Sequence, residues 1–192
     1  MARDWHLAEP LIGESIKLAA HALTRVPVEI RVDISREIRS IWCHDGQLKQ
    51  VLVNLIVNAV QAMPNGGVLA IGFSPESPQT LGMSAVRLTV RDSGLGIDPA
   101  HRSRIFDPFF TTKDEGTGLG LAIVYSIVEA HQGRVDVEST VGQGTSCSII
   151  LPHPSTGEDP NEGQVGTRSE SESNEPLPVE HEAALAEEWS HE

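Results

Sequence analysis

The stretch DGQLKQVLVNLIVNAVQAM, residues 45–63, has an apolar residue at every third or fourth place. Leu48, Val51, Leu52, Leu55, Ile56, Ala59 and Met63 share one broad face at helical spacing, which predicts an amphipathic helix over 45–63. Asp45 stands where an N-terminal cap belongs, and the PNGG run at 64–67 supplies the stop. A polar stripe runs through the apolar face: Gln47, Gln50, Asn54, Asn58 and Gln61, at steps of 3, 4, 4 and 3. A solvated outer face accounts for Gln47 and Gln50. It does not account for two asparagines one turn apart among Leu, Ile and Val, because the Asn amide competes with the helix backbone. A buried amide must be satisfied, and a carboxamide oxygen suits a hard cation such as Mg²⁺.

Working outward, Leu11, Ile12, Ile16 and Ala19 suggest a helix over 9–23. Val28, Ile30, Val32 and Ile34 alternate with polar residues and predict a half-buried strand ending near Ser35; a short strand over 38–43 follows. Beyond the central helix, strands are expected over 68–74 and 85–91, joined by a Ser/Pro-rich connection. A Gly-rich irregular region fills 92–117. A helix over 119–131 and a hairpin of strands 135–139 and 146–151 close the series. Helices and strands mix without a regular β-α-β repeat. The expected fold class is α/β, a two-layer sandwich with helices on one face of a mixed sheet.

Composition narrows the function. Of 192 residues, 27 are acidic and 14 are Lys or Arg, a net charge of −13, which argues against a nucleic-acid binder. The imbalance sits in residues 154–192, with 11 acids against Arg168 alone, leaving 16 acids and 13 bases in 1–153. The 154–192 stretch cannot bury enough apolar surface to offset its ordering entropy, so it is expected to be a disordered acidic tail, with room for a short helix near 180–189. Residues 1–153 are expected to form one domain. Two cysteines, Cys43 and Cys147, lack metal-ligand spacing and are expected to be reduced thiols of a cytoplasmic protein. The longest apolar run, 51–60, is broken by Asn54 and Asn58 and is too short to span a bilayer, so no membrane contact is expected.

Three glycine clusters remain. Asp92-Ser93-Gly94-Leu95-Gly96-Ile97 follows a predicted strand and puts an acid at its end. Gly116-Thr117-Gly118-Leu119-Gly120-Leu121 opens a helix, where backbone N–H groups make an anion site. No strand leads into it, so neither a dinucleotide fold nor a Walker loop fits. Gly142-Gln143-Gly144-Thr145 lies at a hairpin turn. Between the first two clusters runs Ile105-Phe106-Asp107-Pro108-Phe109-Phe110-Thr111-Thr112-Lys113, holding three of the four Phe. It reads as a lid with an apolar latch, ending in a lysine that can meet a phosphate.

In this order, these boxes resemble the ATP-binding catalytic domain of bacterial sensor histidine kinases, within the superfamily that includes gyrase and the ninety-kilodalton heat-shock chaperone. The resemblance covers roughly residues 8–152, and the wording NAVQAM and FFTTK is most similar to the nitrogen-regulation branch. It implies the Bergerat fold, with ATP and Mg²⁺ as cofactors. By the same resemblance, Asn58 would coordinate Mg²⁺ and Asn54 would support the phosphates. Asp92 would accept from the adenine amine, and Gly94, Gly96 and Ile97 would lie beside the base. Phe106, Phe109 and Phe110 would anchor the lid. Lys113, Gly116, Thr117, Gly118, Leu119, Gly120 and Leu121 would serve the phosphates, and Thr145 would help Asp92 hold a bridging water. Gln61 stands where many of these kinases have Lys.

Hydrolysing relatives carry Glu at the position of Asn54, as general base on water. An amide cannot take that proton, so the γ-phosphate would be kept for a histidine. None of the eight histidines has the family's H-E-x-x-N-P context. The implied partners are therefore a phosphoacceptor hairpin outside this chain and, downstream, a response-regulator receiver domain. Two other readings stay open: an ATP-binding regulatory module that phosphorylates nothing, and an ATPase or serine kinase of the same superfamily.

Overall fold

The computed structural model describes residues 3–81, 83–113 and 116–154. In chain order the elements are β1 (Asp4–Leu7), α1 (Ala8–Leu18), α2 (Ala20–Leu23), β2 (Val28–Ile34), β3 (Ser40–Cys43), α3 (Asp45–Gln61), β4 (Gly67–Glu76), α4 (Pro78–Leu81), β5 (Ala85–Asp92), α5 (Gly120–Ala130), β6 (Arg134–Thr140) and β7 (Gly144–Pro152). The tail beyond Pro154, with its expected helix near 180–189, lies outside the described residues.

Alternation builds the main sheet. Leu69, Ile71 and Phe73 of β4, Val86, Leu88 and Val90 of β5, and Cys147, Ile149 and Leu151 of β7 are buried at every second position. Five strands pair in the order β2-β4-β5-β7-β6. The β2–β4 pair is parallel and the other pairs are antiparallel, so the sheet is mixed. The helices cover one face. α3 packs on α1, α5 and β5, and its Leu48, Val51, Leu52, Leu55 and Ile56 join the sheet's apolar rows in one core. This is the two-layer arrangement expected from the switching periodicities.

Three local expectations need correction. Asp45 does not cap α3. His44 does, its Nδ1 accepting from Gln47 N–H at 3.3 Å, while Asp45 pairs instead with Lys49 at 2.8 Å. The helix expected over 9–23 breaks at Ala19, one turn after Ser15, whose hydroxyl donates to the Leu11 carbonyl at 2.7 Å, a contact that bends helices. β1 was not expected. It pairs antiparallel with β3, and Trp5 packs on Trp42 and His153 at ring-centroid distances of 5.5 and 5.1 Å.

Candidate nucleotide site

The buried face of β5 runs to its end: Asp92 follows Val86, Leu88 and Val90 on the same side of the sheet. Asp92 stands opposite Thr145 of β7, and Thr145 opposite Ser139 of β6. Two residues back, Val90, Cys147 and Val137 make the matching row. A polar row therefore borders an apolar floor across three strands, the surface a flat heterocycle with an edge of hydrogen-bonding groups requires.

Asp92 is 7% exposed. Its Oδ1 accepts from Gly94 N–H at 2.8 Å and Thr145 N–H at 3.2 Å, while Oδ2 has no hydrogen bond among the described residues. Burial holds the carboxyl above its usual 3.8, against the opposing pull of the Gly94, Thr145 and Asp92 backbone N–H groups and of the Lys113 ammonium. The Thr145 hydroxyl, expected to help hold a water, lies 3.0 Å from Ser139 Oγ. Ser139 in turn accepts from Ile97 N–H at 2.8 Å, so Ile97 is fixed through its backbone.

Across the cleft, Asn54 and Asn58 are half-buried on α3. Asn54 Nδ2 is fully buried with no hydrogen-bond partner among the described residues, and Asn58 Oδ1 faces the Lys113 ammonium at 3.5 Å. α5 starts opposite them at Gly120, where a Cβ would lie 3.6 Å from Asn58 Nδ2 and 3.7 Å from Asn54 Oδ1. Its N-cap, Leu119, makes no side-chain capping bond, so the first-turn N–H groups have no side chain to satisfy them. An unpartnered amide donor, an uncapped helix start and a cradle that one methyl group would fill suit a polyphosphate. Asn58 Oδ1 already faces a cation, and a hard divalent ion takes such an oxygen. Among the described residues no cluster of three His, Cys, Asp or Glu could hold a metal, so Mg²⁺ here would depend on Asn58 together with oxygens brought by the ligand.

The lid is held by two rings and one backbone. Phe106 packs on Tyr125 of α5 at 5.6 Å between centroids; Phe110 packs on His101 at 5.6 Å, with the Arg104 guanidinium 4.5 Å from its centroid. Phe109, expected to help anchor the lid, is 75% exposed. Its backbone does the anchoring, at φ 66°, with its N–H donating to the Gly118 carbonyl at 3.0 Å. Gly118 itself has φ 66°, and a Cβ there would lie 2.4 Å from the Phe109 carbonyl carbon, so the close approach requires glycine.

These parts enclose a cleft of about 600 Å³. Asn54, Asn58, Asp92, Gly96, Ile97, Lys113, Thr145 and the whole of 116–121 line it; Gly94 and Phe106 do not. A Cβ at Gly94 would fall 2.3 Å from the Ala62 carbonyl, so that glycine lets the loop dock on the end of α3 and does not make room beside a base. Sequence reasoning missed His101, Val90, Val137, Cys147 and the supporting Ser139. Strand parity counted back from Asp92 would have found Val90. The others depend on cross-strand register or on the fold of the lid. Both cysteines are buried and free, and burial pushes each thiol up to about 12.

Comparison with known proteins places the chain in a family and a fold. Residues 43–155 match the family model described as histidine kinase-, DNA gyrase B-, and HSP90-like ATPase. Sporulation kinase E of Bacillus subtilis is 38% identical over 152 residues, covering 79% of this chain and 20% of that protein. The sensor histidine kinase ZraS of Escherichia coli K12 is 37% identical over 150 residues, covering 78% of this chain and 31% of its own. The chain thus spans between a fifth and a third of the length of these relatives. Among solved structures, the catalytic domain of histidine kinase ThkA superposes with a TM-score of 0.68 at 29% identity, covering 79% of this chain and 96% of that one. Full-length ShkA in complex with AMPPNP superposes with a TM-score of 0.69 at 30% identity, covering 79% and 31%.

Proposed function

The chain belongs to the histidine kinase-, DNA gyrase B-, and HSP90-like ATPase family, and from that premise we propose that it is the ATP-binding catalytic unit of a sensor histidine kinase. It binds Mg-ATP in the cleft between α3, the lid and the end of β5. It passes the γ-phosphate to a histidine on a hairpin outside this chain, from which a receiver domain would take it. The observation that carries the reading is Asp92: a buried carboxylate whose Oδ1 is held by the Gly94 and Thr145 N–H groups, at the edge of an apolar floor, which leaves Oδ2 as the oxygen offered to a ligand. Such an oxygen accepts from an exocyclic amine. Adenine offers one there and guanine presents a carbonyl.

When bound, Mg²⁺ would neutralise phosphate charge and orient the β- and γ-oxygens. Asn58 would hold it through Oδ1. The Asn54 carboxamide, whose Nδ2 has no hydrogen-bond partner among the described residues, would support the phosphates. The first-turn N–H groups of α5 would hold the phosphates, and Lys113 would approach from the lid. Asn54 takes no proton, so water is poorly activated and transfer to a positioned imidazole is favoured over hydrolysis. The ShkA complex with AMPPNP supports the nucleotide assignment through that protein's likeness to this chain.

Calorimetric titration tests this directly. Mg-ATP and Mg-ADP are expected to bind, and Mg-GTP to bind much more weakly. Equal affinity for ATP and GTP would remove Asp92 from base recognition.

A further inference from the structure

Lys113 ends the lid with its backbone tied at three points. Its N–H donates to Thr111 Oγ1 at 3.1 Å, and its carbonyl accepts from Thr111 Oγ1 at 3.3 Å and from Gly116 N–H at 3.2 Å. From this fixed base the side chain reaches α3, 52 residues back in the sequence, where Nζ donates to Gln61 Oε1 at 2.6 Å. The same nitrogen lies 3.5 Å from Asn58 Oδ1, at the outer limit of a hydrogen bond. The short contact is thus to Gln61 and the long one to the oxygen assigned to the metal. Gln61 is exposed and belongs to the polar stripe of α3, one helical turn beyond Asn58. The ammonium's surroundings keep water from it and lower its pKa, while Asp92 acts in the opposite sense.

An ammonium and a divalent ion cannot both sit on one carboxamide oxygen, because like charges at contact distance repel. We propose that Gln61 is a positioning residue: it holds the Lys113 ammonium against Asn58 Oδ1 as a tethered cation, seating the lid on α3 before nucleotide binds. Once Asn58 is engaged by the metal-bound ligand, Lys113 turns from Gln61 to the phosphates. This rests on the nucleotide reading above for the destination of the lysine, but not for the Gln61–Lys113 contact itself. It gives position 61, which lines the cleft but carries no charge, a role in placing the Lys113 charge. It also makes cationic help to the phosphates conditional on a closed lid.

Hydrogen–deuterium exchange on the full 192-residue chain without nucleotide tests the contact. The amides of 109–113 report the lid and those of β5 serve as the reference. Gln61→Ala and Lys113→Met are each expected to speed lid exchange several-fold, the double variant to speed it no further, and β5 to stay unchanged. Gln61→Glu, which keeps an oxygen for the ammonium, is expected to retain slow exchange. Unchanged lid exchange in Gln61→Ala, additive effects in the double variant, or equal loss of protection in β5 would each overturn the proposal. Mg-ATP titration of the wild-type chain separates the two ideas. Failure to bind would overturn the nucleotide reading and leave the lid contact standing, whereas normal binding with an unaltered lid in Gln61→Ala would overturn the lid contact alone.

Discussion

At the scale of single residues, the site sets function against stability. Asp92 is a carboxylate buried at the end of an apolar row. Its folded pKa lies above the usual 3.8, so the native state holds that proton more tightly than the unfolded chain does. The resulting stabilisation is fully present below pH 3.8 and is lost as pH rises through the raised value, so ionising the group costs more in the folded chain than in the unfolded one. Asn in its place keeps an acceptor for the Gly94 and Thr145 N–H groups and drops the charge. Asp92→Asn is therefore expected to hold or raise the thermal midpoint at pH 7 while weakening ATP binding by about 1–3 kcal/mol, measured by calorimetry. A fall in both would make Asp92 a structural residue. Gly120 makes the complementary case. A methyl group fits there at ordinary contact distance, and alanine is the better helix former, so Gly120→Ala is expected to leave urea stability equal or higher. The same methyl group would fill the cradle beside Asn54 and Asn58 and lower ATP affinity roughly tenfold or more, about 1.4 kcal/mol. Unchanged affinity would place the phosphates elsewhere. The identities of these residues were legible in the sequence, but the reasons were not always. Gly94 serves a backbone contact with Ala62 that no local pattern announces.

At the scale of elements, the two helices that frame the cleft are joined by a histidine. His131, 4% exposed at the end of α5, has Nδ1 within 2.8 Å of the Ile127 carbonyl and Nε2 within 3.1 Å of His44 N–H at the start of α3. The second contact requires Nε2 to be unprotonated so that it can accept from His44 N–H, and the neutral ring then carries its proton on Nδ1, which donates to the Ile127 carbonyl. Burial lowers the His131 pKa below 6.5, and Arg3, which donates to the Ala130 carbonyl at 2.9 Å, and His44 act in the same sense despite the raising effect of the Ile127 bond. The native state thus refuses a proton that the unfolded chain takes. The contribution is fully present above pH 6.5 and is lost as pH falls through the lowered value. Urea denaturation across pH 5–8 is expected to show stability falling on the acid side. His131→Leu is expected to be about 1–3 kcal/mol less stable at pH 8, because it leaves His44 N–H unsatisfied, with a smaller acid loss. Parallel pH curves for the two proteins would refute the assignment. The long elements were legible because their periods are strong: β2 over Val28–Ile34 and α3 from Asp45 fall at their expected places. β1 was not legible, because four residues gain strand form only by pairing with β3, and the cap passed to His44 because His131 fixes that residue's backbone.

At the scale of the molecule, the mixed periodicities and five ordered boxes make the fold readable. Under the proposed function, which nucleophile receives the phosphate would be decided by what stands at position 54. There the amide faces Gly120, whose missing side chain leaves room for one more methylene. The wild-type chain is expected to bind Mg-ATP, release phosphate very slowly and phosphorylate a histidine-bearing helical hairpin added in trans. Radiolabelled phosphate release, run beside acid-labile phosphoprotein formation, measures both. Asn54→Glu supplies the missing base and is expected to raise hydrolysis, by up to roughly 10²–10⁴-fold, while transfer to the hairpin gains nothing, since the imidazole needs no base of that kind. Brisk hydrolysis by the wild-type chain would move it to the ATPase branch of the family. Tight ATP binding with no transfer to any hairpin would make it a regulatory module that reads nucleotide without spending it.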